Sequence, residues 1–250
     1  MDRTDTNPLH LPRILCLHGG GSNARIFKAQ CRVLERFLQT RFRLCYAEGP
    51  FSSHPGPDVT LVYKDFGDFR TWIRWQSDNN LKADNGSVVA PIVASISAAM
   101  ANDTAQGATG EWVGLMGFSQ GAKICASILL AQQVGTLRFY DNGEIDFRFG
   151  VLLAGRGPLL SIKLKHRALP QDFETYSIQP LIQIPTLHVH GLRDPGLDYH
   201  QGLLKECFDP SYTRLVEWDG EHRVPIKTKD VTAVTGAIFA MALDLGICLD

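Results

Sequence analysis

Three residues of this chain have the types and the order needed to attack a carbonyl and shuttle the proton: Ser119, Asp194 and His222. Ser119 stands in Gly117-Phe118-Ser119-Gln120-Gly121, a G-x-S-x-G pentapeptide. An apolar run (112–116) leads into it and a helix-forming run (122–130) leads away. That succession is a strand–turn–helix elbow with the serine at its apex. The glycines answer to crowding, since flanking side chains on so tight a turn would strike the strand and helix, and glycine also tolerates strained angles. A serine hydroxyl becomes a useful nucleophile when a neighbouring base takes its proton. His222, in Gly220-Glu221-His222-Arg223-Val224-Pro225, is the candidate base. Asp194, in His190-Gly191-Leu192-Arg193-Asp194, is the candidate acid that holds the imidazole in the right tautomer and stabilises the imidazolium. Asp198 is the fallback acid, and Asp194 before Pro195 also suits a plain turn.

A fourth part lies upstream. The apolar run 14–17 ends in His18-Gly19-Gly20-Gly21. Such a turn presents free backbone N–H groups, and with the N–H of Gln120 it would form an oxyanion hole. Gly20 is the favoured donor and Gly21 the alternative; a glycine loop with no such role is the competing reading. A phosphate loop is not indicated, since neither G-x-x-x-x-G-K-[ST] nor G-x-G-x-x-G occurs here.

Of the eight histidines, His18 is placed to orient the glycine turn. His188 and His190 alternate on one expected strand and share a face, but no third ligand accompanies them, so no metal is expected. His54, His166 and His200 read as loop or surface residues, and Cys125 as core packing. The chemistry calls for no metal and no organic cofactor.

These residues need a scaffold, and the pattern supplies one. Strand-like runs at 14–17, 43–47, 112–116, 147–153, 186–190 and 213–218 alternate with helical runs at 24–38, 88–100 and 231–249. Alternation of this kind predicts an α/β chain with a mainly parallel central sheet and helices on both faces. With the serine–acid–histidine order it predicts the α/β-hydrolase fold, as one domain over 1–250. Each candidate follows a strand, where such sheets gather functional groups. Two segments are expected to shape a substrate pocket. One is the aromatic-rich, irregular stretch 48–86, with Phe69 and Trp72 as candidate substrate contacts. The other is an insertion over 155–185, with Leu159 as a candidate contact, read equally as a small cap or acyl pocket and as a surface helix pair.

Composition narrows the classes. A 250-residue chain with 44% hydrophobic residues can bury a sizeable core. A formal net charge of −1 gives no pull toward nucleic acid or an anionic membrane, and neither is expected as a partner. Six cysteines without C-x-x-C spacing, and a polar start without an apolar leader, suggest reduced thiols in a cytoplasmic protein.

The motifs together resemble the fungal serine hydrolase (FSH-type) group of the α/β-hydrolases along nearly the whole chain. The matching pieces are Arg13-Ile14-Leu15-Cys16-Leu17-His18-Gly19, Phe69-Arg70-Thr71-Trp72, the elbow with Ala122, and the acid and histidine loops. By that resemblance Ser119, Asp194 and His222 inherit the triad roles. The group includes polyketide-cluster thioesterases and esterases, which implies hydrolysis of an acyl ester or thioester, with a polyketide on the carrier protein of a polyketide synthase as substrate. The triple glycine departs from members with an aromatic after His-Gly, which bears on pocket size and not on mechanism. A general carboxylesterase or acyl-protein thioesterase is the alternative within enzymes, and a non-catalytic α/β-hydrolase serving as a binding protein is the alternative outside them.

Overall fold

Residues 8–74, 85–141, 143–162 and 180–247 are described in the computed structural model. In chain order the elements are β1 (Arg13–Leu17), α1 (Ala24–Gln30), α2 (Arg32–Leu38), β2 (Arg43–Ala47), β3 (Phe51–Ser52), α3 (Pro57–Tyr63), β4 (Arg70–Thr71), α4 (Asn85–Ala105) and β5 (Trp112–Phe118). After β5 come α5 (Gln120–Gln133), β6 (Phe139–Tyr140), β7 (Glu144–Ile145), β8 (Phe149–Leu153), β9 (Thr186–Gly191), α6 (Leu197–Cys207), β10 (Thr213–Trp218) and α7 (Thr228–Asp244).

Strands β1, β5, β8 and β9 are buried at every position, the mark of parallel strands covered on both faces. With β2 and β10 at the edges they form one parallel sheet in the order β10-β9-β8-β5-β1-β2. The chain runs outward from β1 to β2, then returns past β1 to continue in the other direction from β5. The order therefore reverses between β1 and β5, whose registers bring Leu17 opposite Gly117. Loops leaving two strands on either side of such a reversal diverge and leave a crevice at the carboxyl ends.

Alternate side chains divide the core into two layers. Leu15, Leu17, Leu115 and Leu152 pack with Ile92 of α4, Ile124 and Leu129 of α5, and Leu203 of α6. Ile14, Cys16, Met116 and Val151 pack on the opposite face with Phe27 of α1, Leu34 of α2 and Ile238 of α7. Each such side chain fully removed from water is worth about 2 kcal/mol of transfer free energy. Helix α4 contains a window, Val88–Ala105, that is long and apolar enough by composition to cross a membrane. In this fold its Val89, Ile92, Ile96 and Met100 stripe, at helical spacing, is spent on the sheet.

Three features differ from the pattern read in the sequence. Within the stretch 48–86, the described residues 48–74 are not structureless: β3 and β4 pair antiparallel with Phe51 opposite Thr71, and α3 lies between them. Two-residue strands are too short to show a period, which is why the pattern hid them. The helix expected over 24–38 is two helices that meet at Cys31. Helix α6 and the small β6–β7 hairpin have no counterpart among the elements expected from sequence. Of the 155–185 insertion, residues 155–162 and 180–185 are described. Leu159 and Leu160 pack on the core, the Leu160 N–H donates to Ser127 Oγ at 2.9 Å, and Ile162 is buried. The remainder of that insertion, with His166 and Phe173, lies outside the described residues.

Candidate active site

Strand β5 ends at Phe118 and α5 begins at Gln120, so Ser119 alone makes the turn. Its backbone takes φ 52° and ψ −113°, a positive φ that costs a non-glycine residue energy and persists where the surroundings dictate it. Those surroundings are visible. A Cβ on Gly121 would lie 2.1 Å from the Leu17 carbonyl oxygen, and one on Gly117 would lie 2.5 Å from the Ala122 nitrogen. The two glycines let β1, β5 and α5 close on one another, and the Ser119 N–H, bonded to the Leu153 carbonyl at 2.8 Å, pins the turn to β8.

The acid and histidine loops are stitched together before they reach the serine. The Leu192 N–H donates to the Trp218 carbonyl (2.9 Å) and the Arg193 N–H to the Gly220 carbonyl (2.8 Å). This brings His222 Nε2 to 3.0 Å from Ser119 Oγ and His222 Nδ1 to 2.7 Å from Asp194 Oδ2. Phe118 packs on the imidazole with ring centroids 4.9 Å apart. The fallback Asp198 lies in the first turn of α6 and makes none of these contacts.

Asp194 holds a second histidine as well. His200 of α6 is buried, with Nε2 2.9 Å from the same Asp194 Oδ2 and Nδ1 2.9 Å from the Gly155 carbonyl. Each of its ring nitrogens thus faces an oxygen acceptor, which fixes the orientation of the ring. Asp194 Oδ1 accepts the Gly196 N–H at 2.7 Å. Burial would raise the Asp194 carboxyl, but the Gly196 amide and the His200 and His222 hydrogen bonds outweigh it and hold it below the usual carboxylate value. His200 is thus a member of the site, although its sequence context reads as surface. The spacing Leu197, His200, Leu203, Leu204 and Cys207 follows i, i+3, i+6, i+7, i+10, and is the signal that could place it on a helix face. Asp194, His200 and His222 each offer one ligand-type atom within 4.8 Å of the others, and all three atoms are engaged in the hydrogen bonds above.

The glycine turn after β1 completes the arrangement. His18 is fully buried; its Nδ1 donates to the Gly19 carbonyl (2.7 Å) and its Nε2 accepts the Gly49 N–H (2.8 Å), which fixes the turn as expected. Of the two candidate donors, Gly21 is already committed, its N–H bonded to the Arg70 carbonyl at 2.9 Å. The Gly20 N–H makes no hydrogen bond among the described residues, and Gly20 faces Gln120 so closely that a Cβ there would come within 3.3 Å of its side chain. The Gln120 N–H opens α5 and has no acceptor inside the helix. Gln120 is itself clamped, with Oε1 accepting from Trp72 N at 2.7 Å and lying 2.8 Å from Thr71 Oγ1.

A cleft of about 700 Å3 opens over Ser119, lined among others by Gly20, Pro57, Val59, Phe118, Gln120 and His222. The three expected substrate contacts do not line it. Trp72 is fully buried and donates its indole N–H to the His18 carbonyl at 2.9 Å, so it supports the glycine turn instead. Leu159 belongs to the core layer of α5, and the Phe69 carbonyl serves the β3–β4 edge by accepting the Ser53 N–H.

His188 and His190, whose spacing puts them on one face, are buried in β9. Burial first, then the neighbouring His190, push His188 down to about 3; burial, then His200, push His190 down to about 4 against the opposing pull of Asp194. Both rings are therefore neutral in the fold but titrate near 6.5 when unfolded. Between those values the unfolded chain binds more protons, so stability falls as pH falls. The slope approaches about 1.4 kcal/mol per pH unit for each ring. Urea midpoints measured from pH 7.5 to 4.5 are expected to drop accordingly, and His188→Leu is expected to remove about half of that slope. A flat profile in the parent protein would contradict neutral burial of both rings.

A parallel sheet with a serine elbow at its reversal point, followed by acid and histidine loops, is the α/β-hydrolase arrangement. The serine hydrolase (FSH1) family model matches residues 8–234, and the chain belongs to that family. It is 51% identical over 261 residues to esterase dbaE of Emericella nidulans, covering 96% of this chain and 93% of that protein. It is 48% identical over 262 residues to esterase pigG of Monascus ruber, covering 98% and 96%. Among solved structures the fold is similar to a variant of Arabidopsis thaliana SOBER1 (TM-score 0.55, 17% identity, 92% of this chain and 98% of that one). It is likewise similar to Zea mays acyl-protein thioesterase 2 (TM-score 0.53, 20% identity, 93% and 94%). The protein is a serine hydrolase of esterase type.

Proposed function

We propose that this hydrolase cleaves an acyl thioester or ester by two-step acyl transfer through Ser119, His222 and Asp194. The observation that carries the reading is the unbroken chain Ser119 Oγ, His222 Nε2, His222 Nδ1, Asp194 Oδ2, with steps of 3.0 and 2.7 Å, at the floor of the cleft. His222 takes the Ser119 proton as Oγ bonds to the carbonyl carbon. The oxyanion settles against the Gly20 and Gln120 N–H groups. His222 then gives the proton to the departing thiol or alcohol as the acyl bond to it breaks. Water repeats the sequence on the acyl-enzyme, again with His222 as base, and releases the acid and free Ser119. Asp194 keeps Nδ1 protonated throughout, and His200 holds Asp194 in place.

The acyl group we assign is a polyketide presented as a thioester on the carrier protein of a synthase, in a cytoplasmic setting. Support comes from the resemblance to polyketide-cluster members of the family and from the fungal esterase relatives. The free cysteines among the described residues fit a reducing compartment. The test compares kcat/KM for one medium-length acyl chain presented as a thioester and as an oxoester. A thioester advantage of about tenfold or more, ~1.4 kcal/mol at the transition state, is expected. Equal or better oxoester turnover would overturn the carrier-bound substrate in favour of an esterase acting on a released product.

A further inference from the structure

Two residues that line the cleft over Ser119 carry polar side-chain atoms that find no partner among the described residues. Ser22 is 3% exposed, and its Oγ is buried without a hydrogen bond. Gln30 Oε1, at the end of α1, is likewise buried and unpaired. Both residues line the cleft that holds Ser119 and His222. The local structure shows why these groups are spare. The capping task at the start of α1 belongs to Asn23, whose Oδ1 accepts the Ile26 N–H at 2.7 Å. The backbone of Ser22 is fixed independently, its carbonyl accepting the Arg70 N–H at 2.6 Å. The Ser22 backbone is therefore fixed without help from its hydroxyl.

Such atoms are expensive. A buried polar group without a partner costs roughly 1–3 kcal/mol, and native interiors seldom carry one without a reason. The cleft lining also includes Pro57, Val59 and Phe118, whose apolar side chains suit a hydrocarbon chain and cannot answer either atom. The two spare atoms also differ in kind: Ser22 Oγ–H can give a hydrogen, and Gln30 Oε1 can only receive one.

Resting on the serine hydrolase reading above, we infer that Ser22 and Gln30 serve as a subsite for a hydroxylated portion of the substrate. A hydroxyl can answer either atom, accepting from Ser22 or donating to Gln30, whereas a ketone could answer Ser22 alone and a plain alkyl chain neither. A pocket built to bond a hydroxyl penalises the analogue that lacks it, because the protein's own groups are then left dry and unpaired. The subsite thus selects hydroxylated acyl chains over fully reduced ones.

The probe is a set of p-nitrophenyl octanoates, unsubstituted or with one hydroxyl at successive carbons. At least one hydroxylated isomer is expected to exceed octanoate in kcat/KM by about tenfold. In the Ser22→Ala, Gln30→Leu double variant that ratio is expected to collapse toward one. The same variant is expected to unfold at or above the parent's midpoint, since replacing unpaired buried polar atoms with apolar ones is neutral or stabilising. A structural role for the two side chains would instead lower the midpoint, and that result would overturn the subsite. So would a parent enzyme in which no isomer exceeds octanoate while a fluorophosphonate still labels Ser119. Absence of that labelling would strike the serine hydrolase reading itself, so the two failures are told apart.

Discussion

Ser119→Ala is expected to lower kcat/KM for every ester the parent hydrolyses by on the order of 10⁴-fold or more. The loss is large because the other parts act only through the serine. His222 has no proton to take once Oγ is gone, and the Gly20 and Gln120 amides then stabilise only the slow attack of water. The variant should nevertheless fold. The Ser119 N–H bond to the Leu153 carbonyl is a backbone contact, and the close approach at Gly117 and Gly121 does not involve the hydroxyl. The positive φ at position 119 costs alanine about what it costs serine. Steady-state assays and a thermal melt on the same preparation check both halves: activity lost with the melting midpoint within a few degrees of the parent. Retention of activity within tenfold of the parent would mean that Ser119 is not the nucleophile.

Asp194→Asn is expected to cost on the order of 10³- to 10⁴-fold in kcat. The carboxylate accepts three hydrogen bonds here, from His222 Nδ1 and His200 Nε2 on one oxygen and from the Gly196 N–H on the other. An amide has one oxygen for these donors. If that oxygen faces the histidines, the amide NH2 meets the Gly196 N–H; if it faces Gly196, the NH2 meets two imidazoles and drives His222 toward the tautomer with hydrogen on Nε2. That tautomer cannot accept the serine proton. Kinetics and melting temperature together separate this from simple unfolding. The account expects kcat to fall far more than KM rises, with a loss of stability of a few kcal/mol at most from the disturbed buried pair. A variant with near-parent kcat would show that the 2.7 Å contact to His222 is not used in turnover.

Much of this site is legible in the sequence, and the reasons are specific. Ser119 and Asp194 follow strands buried at every position and His222 follows the amphipathic edge strand β10, so their chain order and position can be seen without knowing the packing. The glycines at 117 and 121 are legible because a tight elbow has few chemical solutions, and the structure puts the colliding atoms within 2.5 Å. The choice between Gly20 and Gly21 is not legible, because it turns on the Arg70 carbonyl, which arrives from β4 nearly fifty residues later. The same crossing explains the misreading of Trp72. An aromatic in an irregular stretch looks available to a substrate, but the β3–β4 pair folds it under the glycine turn, where its N–H holds the His18 carbonyl. His200 escapes a sequence reading because its role depends on a carboxylate six residues upstream folding back over the first turns of α6. Only the fold reveals that Asp194 serves two imidazoles. The residues alone carry the reaction type; which neighbours hold each reacting atom is decided by contacts between distant parts of the chain.

The proposed chemistry requires that one serine, activated in this fold, become acylated. The most direct measurement is to treat the parent protein with a fluorophosphonate, record its intact mass and map the modified peptide. A single adduct on Ser119 is expected, its formation slowed strongly in Asp194→Asn and absent in Ser119→Ala. No adduct, or an adduct on another residue that survives Ser119→Ala, would contradict it.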